Sequence, residues 1–407
     1  MDFAPFFEGI VTGLEAKLAE KVTARRLVAY HTARLGRDVF GGGKPVVWVN
    51  VAVPFEIVNA FPVASTYGEF VGAVLAGADA AAPYLLRAEA AGFPRDGCSY
   101  HRALIGAVLD GIVPPPIAVV AASCPCDGGL KIVAEVGRRA DAPAMFLNVP
   151  EKATPEAVRY LAVQLEGLVG FLERATGEKL DRERFRAIVE KSNEATRVLR
   201  EVYAYGERVP APYDHGDLKN FQIVMLPLLG TDAGTAVATA FRGEFARRAR
   251  EGTGGVPDER LRLLWIQNRI QFPNDLLDHL KDGFGANVVW DELNDVSWDE
   301  IDPDDPFTGL AVRLIENPLG ADVSRRLAVL KDRATRYRID GAIHPSNWGC
   351  RQSQNARGLF ADALREVGVP MISLDVDCVD RRSFAEGQLT TRLEAFCEML
   401  RDNPRAS

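Results

Sequence analysis

Seven short runs of this sequence are apolar almost throughout, and stretches with helical spacing alternate with them. A strand that is buried on both faces has no polar face, so it lacks the polar–apolar alternation of a half-exposed strand. Such runs are therefore typical of parallel strands covered by helices. The runs are 45–53, 116–123, 142–150, 261–268, 286–293, 340–346 and 370–377. The pattern predicts an α/β protein with parallel sheets of the Rossmann or flavodoxin type.

The runs form two groups, and a zone with helical spacing separates them. The first helix of that zone has Thr154 as its expected N-cap and Pro155 at its first position. A chain of 407 residues is long enough for two or three domains, each with its own core. We therefore expect an N-terminal α/β domain at 1–150, a helical region at 151–255 and a C-terminal α/β domain at 256–407.

Charge and hydropathy argue against two classes of protein. The formal net charge is −8, and no basic block is present that could neutralise nucleic-acid phosphates. No apolar run is long enough to span a bilayer, and the N-terminal segment lacks the basic region and apolar core of a signal peptide. We therefore expect a cytoplasmic protein that binds neither nucleic acid nor membranes.

Cysteines mark the places where ligand-binding chemistry is expected. The chain contains Cys98, Cys124, Cys126, Cys350, Cys378 and Cys397. Cys98 lies between a turn and a helix, and Cys124 and Cys126 end a predicted strand. Cys350 follows another predicted strand. The crevice beyond the carboxyl ends of parallel strands binds ligands, and helix N-termini there favour an anionic thiolate.

The spacing of these cysteines leaves the bound group open. Structural zinc sites usually contain paired cysteines spaced C-x₂₋₄-C, whereas this chain has one C-x-C pair and otherwise isolated cysteines. Iron–sulfur clusters accept thiolates from distant loops, although ordinary four-iron clusters use four. From spacing alone, an iron–sulfur cluster and buried free thiols are both open alternatives.

Four segments together resemble a known family. They are "DGCSYHRALIGAVLDG", "VVAASCPCDGGLK", "YRIDGAIHPSNWGCRQ" and "GVPMISLDVDCVDRRSFAEGQLTTRLEAFCEML". The chain resembles the 2-hydroxyacyl-CoA dehydratase and benzoyl-CoA reductase family, and specifically subunits like the 2-hydroxyglutaryl-CoA dehydratase D-component. The order and separation of the segments agree with that family over nearly the whole chain.

The resemblance implies a [4Fe-4S] cluster, held between two α/β domains by three cysteines, with one iron lacking a protein ligand. Carried over residue by residue, the ligands are Cys98, Cys126 and Cys350. Cys126 is preferred to Cys124 because the family's ligand stands five residues before the lysine that matches Lys131. No flavin or nicotinamide cofactor is expected.

The resemblance also implies a reaction and partners. In this family one low-potential electron reduces the thioester carbonyl of a 2-hydroxyacyl-CoA to a ketyl radical anion, which expels the 2-hydroxyl and makes the 3-proton acidic. The implied protein is an oxygen-sensitive lyase subunit that works with a homologous second subunit and a separate ATP-dependent activator. The chain has no Walker-type loop for binding ATP itself, which agrees with a separate activator.

The sequence is also compatible with two functions other than that of a dehydratase subunit. The chain could be a subunit of a benzoyl-CoA reductase-type enzyme, or a non-catalytic subunit that relays electrons or acts as a scaffold. The segment "NPLG" at 317–320 favours the dehydratase, because reductase subunits of one kind carry cysteines there. The sequence does not indicate which acyl group is accepted, or whether the partner is a homologue or a second copy.

Other residues near the predicted strand ends are candidates for roles in the site. Glu56 could orient substrate or relay a proton, and its alternative is a carboxylate in the first turn of a helix. His344 ends the strand before Cys350 and is a second catalytic candidate, while His101 could donate a hydrogen bond to the cluster or substrate. Arg269 could meet CoA phosphates, and Trp348 is expected to shield the cluster from solvent.

Overall fold

The computed structural model describes residues 2–218, 221–294, 299–320 and 322–403, without the side chains of 221–224. Its strands are β1 Val46–Val49, β2 Ala64–Tyr67, β3 Ala118–Ala122, β4 Ala144–Leu147, β5 Leu261–Trp265, β6 Ala286–Asp291, β7 Gly341–Asn347 and β8 Met371–Val376. They form two four-stranded parallel sheets, with the orders β2-β1-β3-β4 and β6-β5-β7-β8. The predicted α/β class with two parallel sheets is confirmed.

The α-helices follow the strands and cover both sheets. In the first half they are α1 Phe3–Glu20, α2 Ala24–Phe40, α3 Phe55–Asn59, α4 Gly68–Gly77, α5 Ala82–Ala90, α6 Ser99–Leu109, α7 Asp127–Ala140, α8 Pro155–Thr176 and α9 Arg182–Ala204. In the second half they are α10 Phe221–Leu228, α11 Asp232–Arg250, α12 Leu276–Phe284, α13 Pro306–Ile315, α14 Val323–Arg336, α15 Arg351–Gln354, α16 Arg357–Glu366 and α17 Glu386–Asp402. None of the described helices is both long enough and apolar enough to cross a membrane.

All seven predicted runs contain a strand, and one strand was missed. β2 has the sequence Ala-Ser-Thr-Tyr, whose two hydroxyl residues break the apolar pattern that identified the others. Its backbone pairs with β1 in parallel register, and Val46 lies opposite Ala64. The sheet therefore has an edge strand that apolar patterning alone could not find.

Helices separate the two sheets along the chain, as the sequence predicts. The α8 helix begins as expected, because the Thr154 hydroxyl accepts a hydrogen bond from the Ala157 backbone and Pro155 occupies the first helical position. The buried amide of Asn193, on α9, bonds to both backbone groups of Ile301, which joins this region to the second half. The exact domain boundaries stay predictions.

The strand order gives each sheet one switch point. In the first sheet the chain passes from β1 to β2 on one side and to β3 on the other, so the loops after β1 and β3 diverge. In the second sheet the loops after β5 and β7 diverge in the same way. Ligands of open α/β sheets bind at such switch points, beyond the carboxyl ends of the strands.

Candidate active site

A cavity of about 180 Å³ is lined by the loops at both switch points. Residues 51–54 after β1 and 124–126 after β3 come from the first sheet, while Gln267 and Asn268 after β5 and Cys350 after β7 come from the second. Cys98, from the loop before α6, lines the same cavity. The structure therefore brings Cys98, Cys126 and Cys350 together from three separate loops, together with Cys124.

Each of the three expected ligands stands at the N-cap of a helix. Cys98 precedes α6, Cys126 precedes α7 and Cys350 precedes α15. The Cys126 sulfur accepts a hydrogen bond from the backbone N–H of Gly129 at 3.3 Å. Because α6 and α7 point their positive ends at the cavity, these positions favour anionic sulfur and an anionic bound group.

Glycine at position 349 allows the Cys350 loop to lie against the Cys98 loop. Its φ is +71°, in the left-handed region. A Cβ atom there would lie 2.5 Å from the carbonyl carbon of Gly97 and 2.6 Å from the nitrogen of Cys98. Both contacts are with backbone, so a side chain at 349 could be accommodated only if one loop moved.

Exposure separates the six cysteines into two sets. Cys98, Cys126 and Cys350 are partly exposed, whereas Cys124, Cys378 and Cys397 are buried. Burial raises the pKa of Cys124 to about 12. Burial also raises the pKa of Cys350 to about 12, and the neighbouring Cys98 and Cys126 add to the effect. Burial also raises the pKa of Cys126. A bound cation would favour the thiolate form of Cys126 and Cys350.

These thiols are donors of the kind that iron–sulfur clusters use. No set of three or more His, Cys, Asp or Glu side chains in the described part of the chain is arranged to hold one metal ion. A four-iron cube accepts thiolates from distant loops. Three partly exposed thiols on one cavity are a donor set that fits such a cluster.

Asn268 approaches the sulfur of Cys350. Its amide nitrogen lies 3.5 Å from that sulfur. Gln267, the preceding residue, has a φ of +70°, and its backbone N–H donates to a carboxylate oxygen of Glu292 at 3.0 Å. Arg326 pairs with the same carboxylate in the protein interior. A buried ionic network thus holds a strained loop so that an amide faces a cysteine sulfur.

His101 lies between Cys98 and a carboxylate that the sequence did not indicate. Its Nε2 is 3.2 Å from Oε1 of Glu69, in the first turn of α4. Burial alone would lower the pKa of His101, but the Cys98 sulfur and Glu69 raise it well above its ordinary value. Glu69 follows the missed strand β2, so no pattern in the sequence pointed to it.

Glu56 lines the cavity as part of a buried ion pair. It is fully buried on α3, and its Oε1 accepts a hydrogen bond from the Ser192 hydroxyl at 2.6 Å. Its Oε2 accepts one from Nη2 of Arg313 at 2.8 Å. Burial alone would raise the pKa of Glu56, but Arg313 and Ser192 hold it below its ordinary value. The side chain is an ionised carboxylate with both oxygens already bonded.

Three residues singled out from the sequence lie in other surroundings. His344 is fully buried inside β7, is absent from the described cavity lining, and bonds to the Ser373 hydroxyl and the Ser353 carbonyl at 3.1 Å each. Arg269 is buried, and its guanidinium forms an ion pair with Asp291. Trp348 is 47% exposed and does not line the cavity. The geometry does not support the roles expected for Arg269, Trp348 and His344, which stay predictions.

Comparison with known proteins supports the family resemblance that the four segments indicate. Residues 50–400 match the family model described as "2-hydroxyglutaryl-CoA dehydratase, D-component". The chain is 24% identical to the (R)-phenyllactyl-CoA dehydratase alpha subunit of Clostridium sporogenes, over 88% of this chain and 90% of that protein. It is 22% identical to the lactoyl-CoA dehydratase alpha subunit of Anaerotignum propionicum, over 96% and 99%.

A benzoyl-CoA reductase is also among the relatives. The chain is 24% identical to one of the benzoyl-CoA reductase subunits of Thauera aromatica, over 78% of this chain and 79% of that protein. The resemblance inferred from the sequence is therefore confirmed. The chain belongs to the 2-hydroxyglutaryl-CoA dehydratase D-component family.

Proposed function

We propose that the chain is the iron–sulfur subunit of an ATP-activated 2-hydroxyacyl-CoA dehydratase, which removes water to give an enoyl-CoA. The observation that carries the proposal is the convergence of Cys98, Cys126 and Cys350 on one cavity. Relatives matched over nearly their full length are named as dehydratase alpha subunits, which supports the same reaction class.

The three cysteines would hold a [4Fe-4S] cluster that leaves one iron without a protein ligand. When bound, the cluster supplies one low-potential electron to the thioester and a Lewis-acidic iron to its oxygens. This chain's own residues shape the surroundings. The mostly apolar lining excludes water, and the positive ends of α6 and α7 offset the negative charge of a thiolate-bound cluster.

His101 and Glu69 supply the proton-holding groups nearest the cysteines. Nε2 of His101 lies 3.2 Å from Oε1 of Glu69, so Nε2–H can donate to that carboxylate. The pair fixes the imidazole beside Cys98, where it can donate to a cluster sulfide or to the oxygen of a bound substrate. Glu56, with both oxygens bonded, orients Arg313 and is not free to relay protons in this arrangement.

Partner proteins are part of the proposal. Four relatives carry the designation "alpha", which supports a second kind of subunit in the working enzyme. We infer that this partner is a homologous chain, and that a separate ATP-hydrolysing activator delivers the electron.

Anaerobic purification tests the cluster directly. We expect about four iron and four sulfide per chain, with an electron paramagnetic resonance signal on reduction. The variants Cys98→Ser, Cys126→Ser and Cys350→Ser should each lose most of the iron. Cys397→Ser, which alters a buried thiol in α17, is the matched control and should keep it.

The choice between neighbouring cysteines has its own test. Cys124→Ser should retain the iron if Cys126 is the ligand, and it should lose the iron if Cys124 takes that place. Full iron content in all three ligand variants would contradict the proposal.

The benzoyl-CoA reductase relative supports a second candidate function. The two reactions are separated by an assay of the chain with its partner and activator, under anaerobic conditions. We expect turnover of 2-hydroxyacyl-CoA thioesters to enoyl-CoA thioesters. Turnover of aromatic acyl-CoA thioesters alone would favour the reductase. Iron retained without any turnover would favour an electron-relay or scaffold subunit.

A further inference from the structure

One wall of the cavity is apolar and is built from segments far apart in the sequence. Its side chains, called here the apolar wall, are Phe55, Leu226, Leu229, Leu293, Leu314 and Leu319. Phe55 begins α3, Leu226 lies on α10 and Leu314 lies on α13. The amide of Asn59, at the end of α3, bonds to the carbonyls of Pro227 and Leu229 and fixes α3 against the α10 segment. The wall is therefore a preformed apolar surface.

Arg313 is a lining residue with a guanidinium nitrogen that has no hydrogen-bond partner among the described groups. Arg313 lines the cavity, and its side chain is 7% exposed. Its Nη2 donates to Glu56, whereas no described group accepts a hydrogen bond from its buried Nη1. Leaving a buried donor unsatisfied is unfavourable, and a hydrogen bond from a charged donor is stronger than one between neutral groups. A bound molecule that brought an oxygen within reach of Nη1 would supply the missing hydrogen bond.

The charges on the lining side chains determine whether the cavity favours a charged or an uncharged substrate oxygen. The acidic and basic lining side chains among the described residues are Glu56, Glu69, His101 and Arg313. Glu56 already pairs with Arg313, and Glu69 already pairs with His101. A carboxylate on the substrate would be a third negative charge without a cation of its own, and unpaired charge is strongly disfavoured in a buried site.

We propose that the substrate's acyl group is uncharged and apolar, and that Arg313 donates a hydrogen bond from Nη1 to an uncharged oxygen of the acyl thioester. The acyl chain packs on the apolar wall, and dicarboxylic acyl groups are rejected. Arg313 is thus a residue that determines specificity. This inference rests on the proposed function, because it assumes that an acyl-CoA enters the cavity.

Binding without turnover tests the inference. The anaerobic holoenzyme, with its partner subunit and without the activator, is titrated calorimetrically with 4-methylpentanoyl-CoA, with glutaryl-CoA and with CoA alone. The first two ligands have similar lengths and differ in the charge at the end of the acyl chain. We expect 4-methylpentanoyl-CoA to bind roughly 100-fold more tightly than glutaryl-CoA. Equal or tighter binding of glutaryl-CoA would overturn the inference while leaving the proposed function standing.

A conservative variant tests the role of Arg313. Arg313→Lys keeps a positive charge beside Glu56 but has no second planar nitrogen to donate. We expect its affinity for 4-methylpentanoyl-CoA to fall about tenfold. Arg197→Lys, an exposed arginine that pairs with Glu300, is the matched control and should bind as the wild type does.

The outcomes distinguish failure of this inference from failure of the proposed function. Unchanged affinity in a folded Arg313→Lys protein would overturn the role given to Nη1. If that variant does not fold, the comparison of the two ligands on the wild-type protein still decides the charge preference. If neither acyl-CoA binds more tightly than CoA, the proposed function fails and this inference fails with it.

Discussion

Replacing Gly349 by alanine should separate the loops that carry two of the cysteines. The new Cβ would lie 2.5–2.6 Å from backbone atoms of residues 96–98, and the residue would keep a φ of +71°. The left-handed conformation costs a non-glycine residue about 1–2 kcal/mol. Overpacking against rigid backbone costs about 1–3 kcal/mol more. We therefore expect the free energy of unfolding to fall by about 2–5 kcal/mol, or the Cys350 loop to move away from Cys98.

A second glycine supplies the control for the backbone conformation. Gly111 has a φ of +68°, and a Cβ there would meet nothing within 4 Å. Gly111→Ala should therefore show only the cost of the left-handed conformation, about 1–2 kcal/mol. The measurements are thermal unfolding and iron content of both variants after anaerobic purification. Equal unfolding temperatures and equal iron content in the two variants would contradict the close contact between the Gly349 and Cys98 loops.

Two further predictions concern charge and hydrogen bonding near the cavity. Asn268→Leu removes the amide that approaches the Cys350 sulfur, so the reduction potential of the cluster should fall by roughly 30–60 mV in a redox titration; an unchanged potential would contradict this. Because Arg313 and Ser192 hold the pKa of Glu56 below its ordinary value, this carboxylate stabilises the fold above the ordinary glutamate pKa, and the stabilisation is lost as the pH falls through the lowered pKa. Glu56→Gln should cost about 3–5 kcal/mol at neutral pH and flatten the acid limb of stability against pH, which chemical denaturation measures; an unaltered acid limb would argue against the pairing.

Local sequence patterns were sufficient to predict most of the sheets. Buried parallel strands are apolar on both faces, so seven of the strands stand out as runs. Strand β2 does not, because its Ser65 and Thr66 interrupt the pattern while its backbone still pairs with β1. The loops that bear cysteines were located as well, since each follows a strand or precedes a helix.

The partners of the site residues could not be predicted in this way. Glu56 and Arg313 are 257 residues apart, and their pairing depends on how α3 and α13 pack. Position at a strand end also does not fix where a side chain points. Arg269 lies just after β5 as expected, but it is neutralised by Asp291 in the interior, and His344 bonds to neighbouring serines within the second sheet. Side-chain direction and pairing are properties of the tertiary fold.

Iron-edge anomalous diffraction from anaerobically grown crystals locates the iron in the protein. We expect one compact iron density in the cavity, with the sulfurs of Cys98, Cys126 and Cys350 bound to it and no protein ligand on the remaining iron. Iron bound elsewhere, or a cavity without iron in protein that contains it, would show that these cysteines do not hold the cluster.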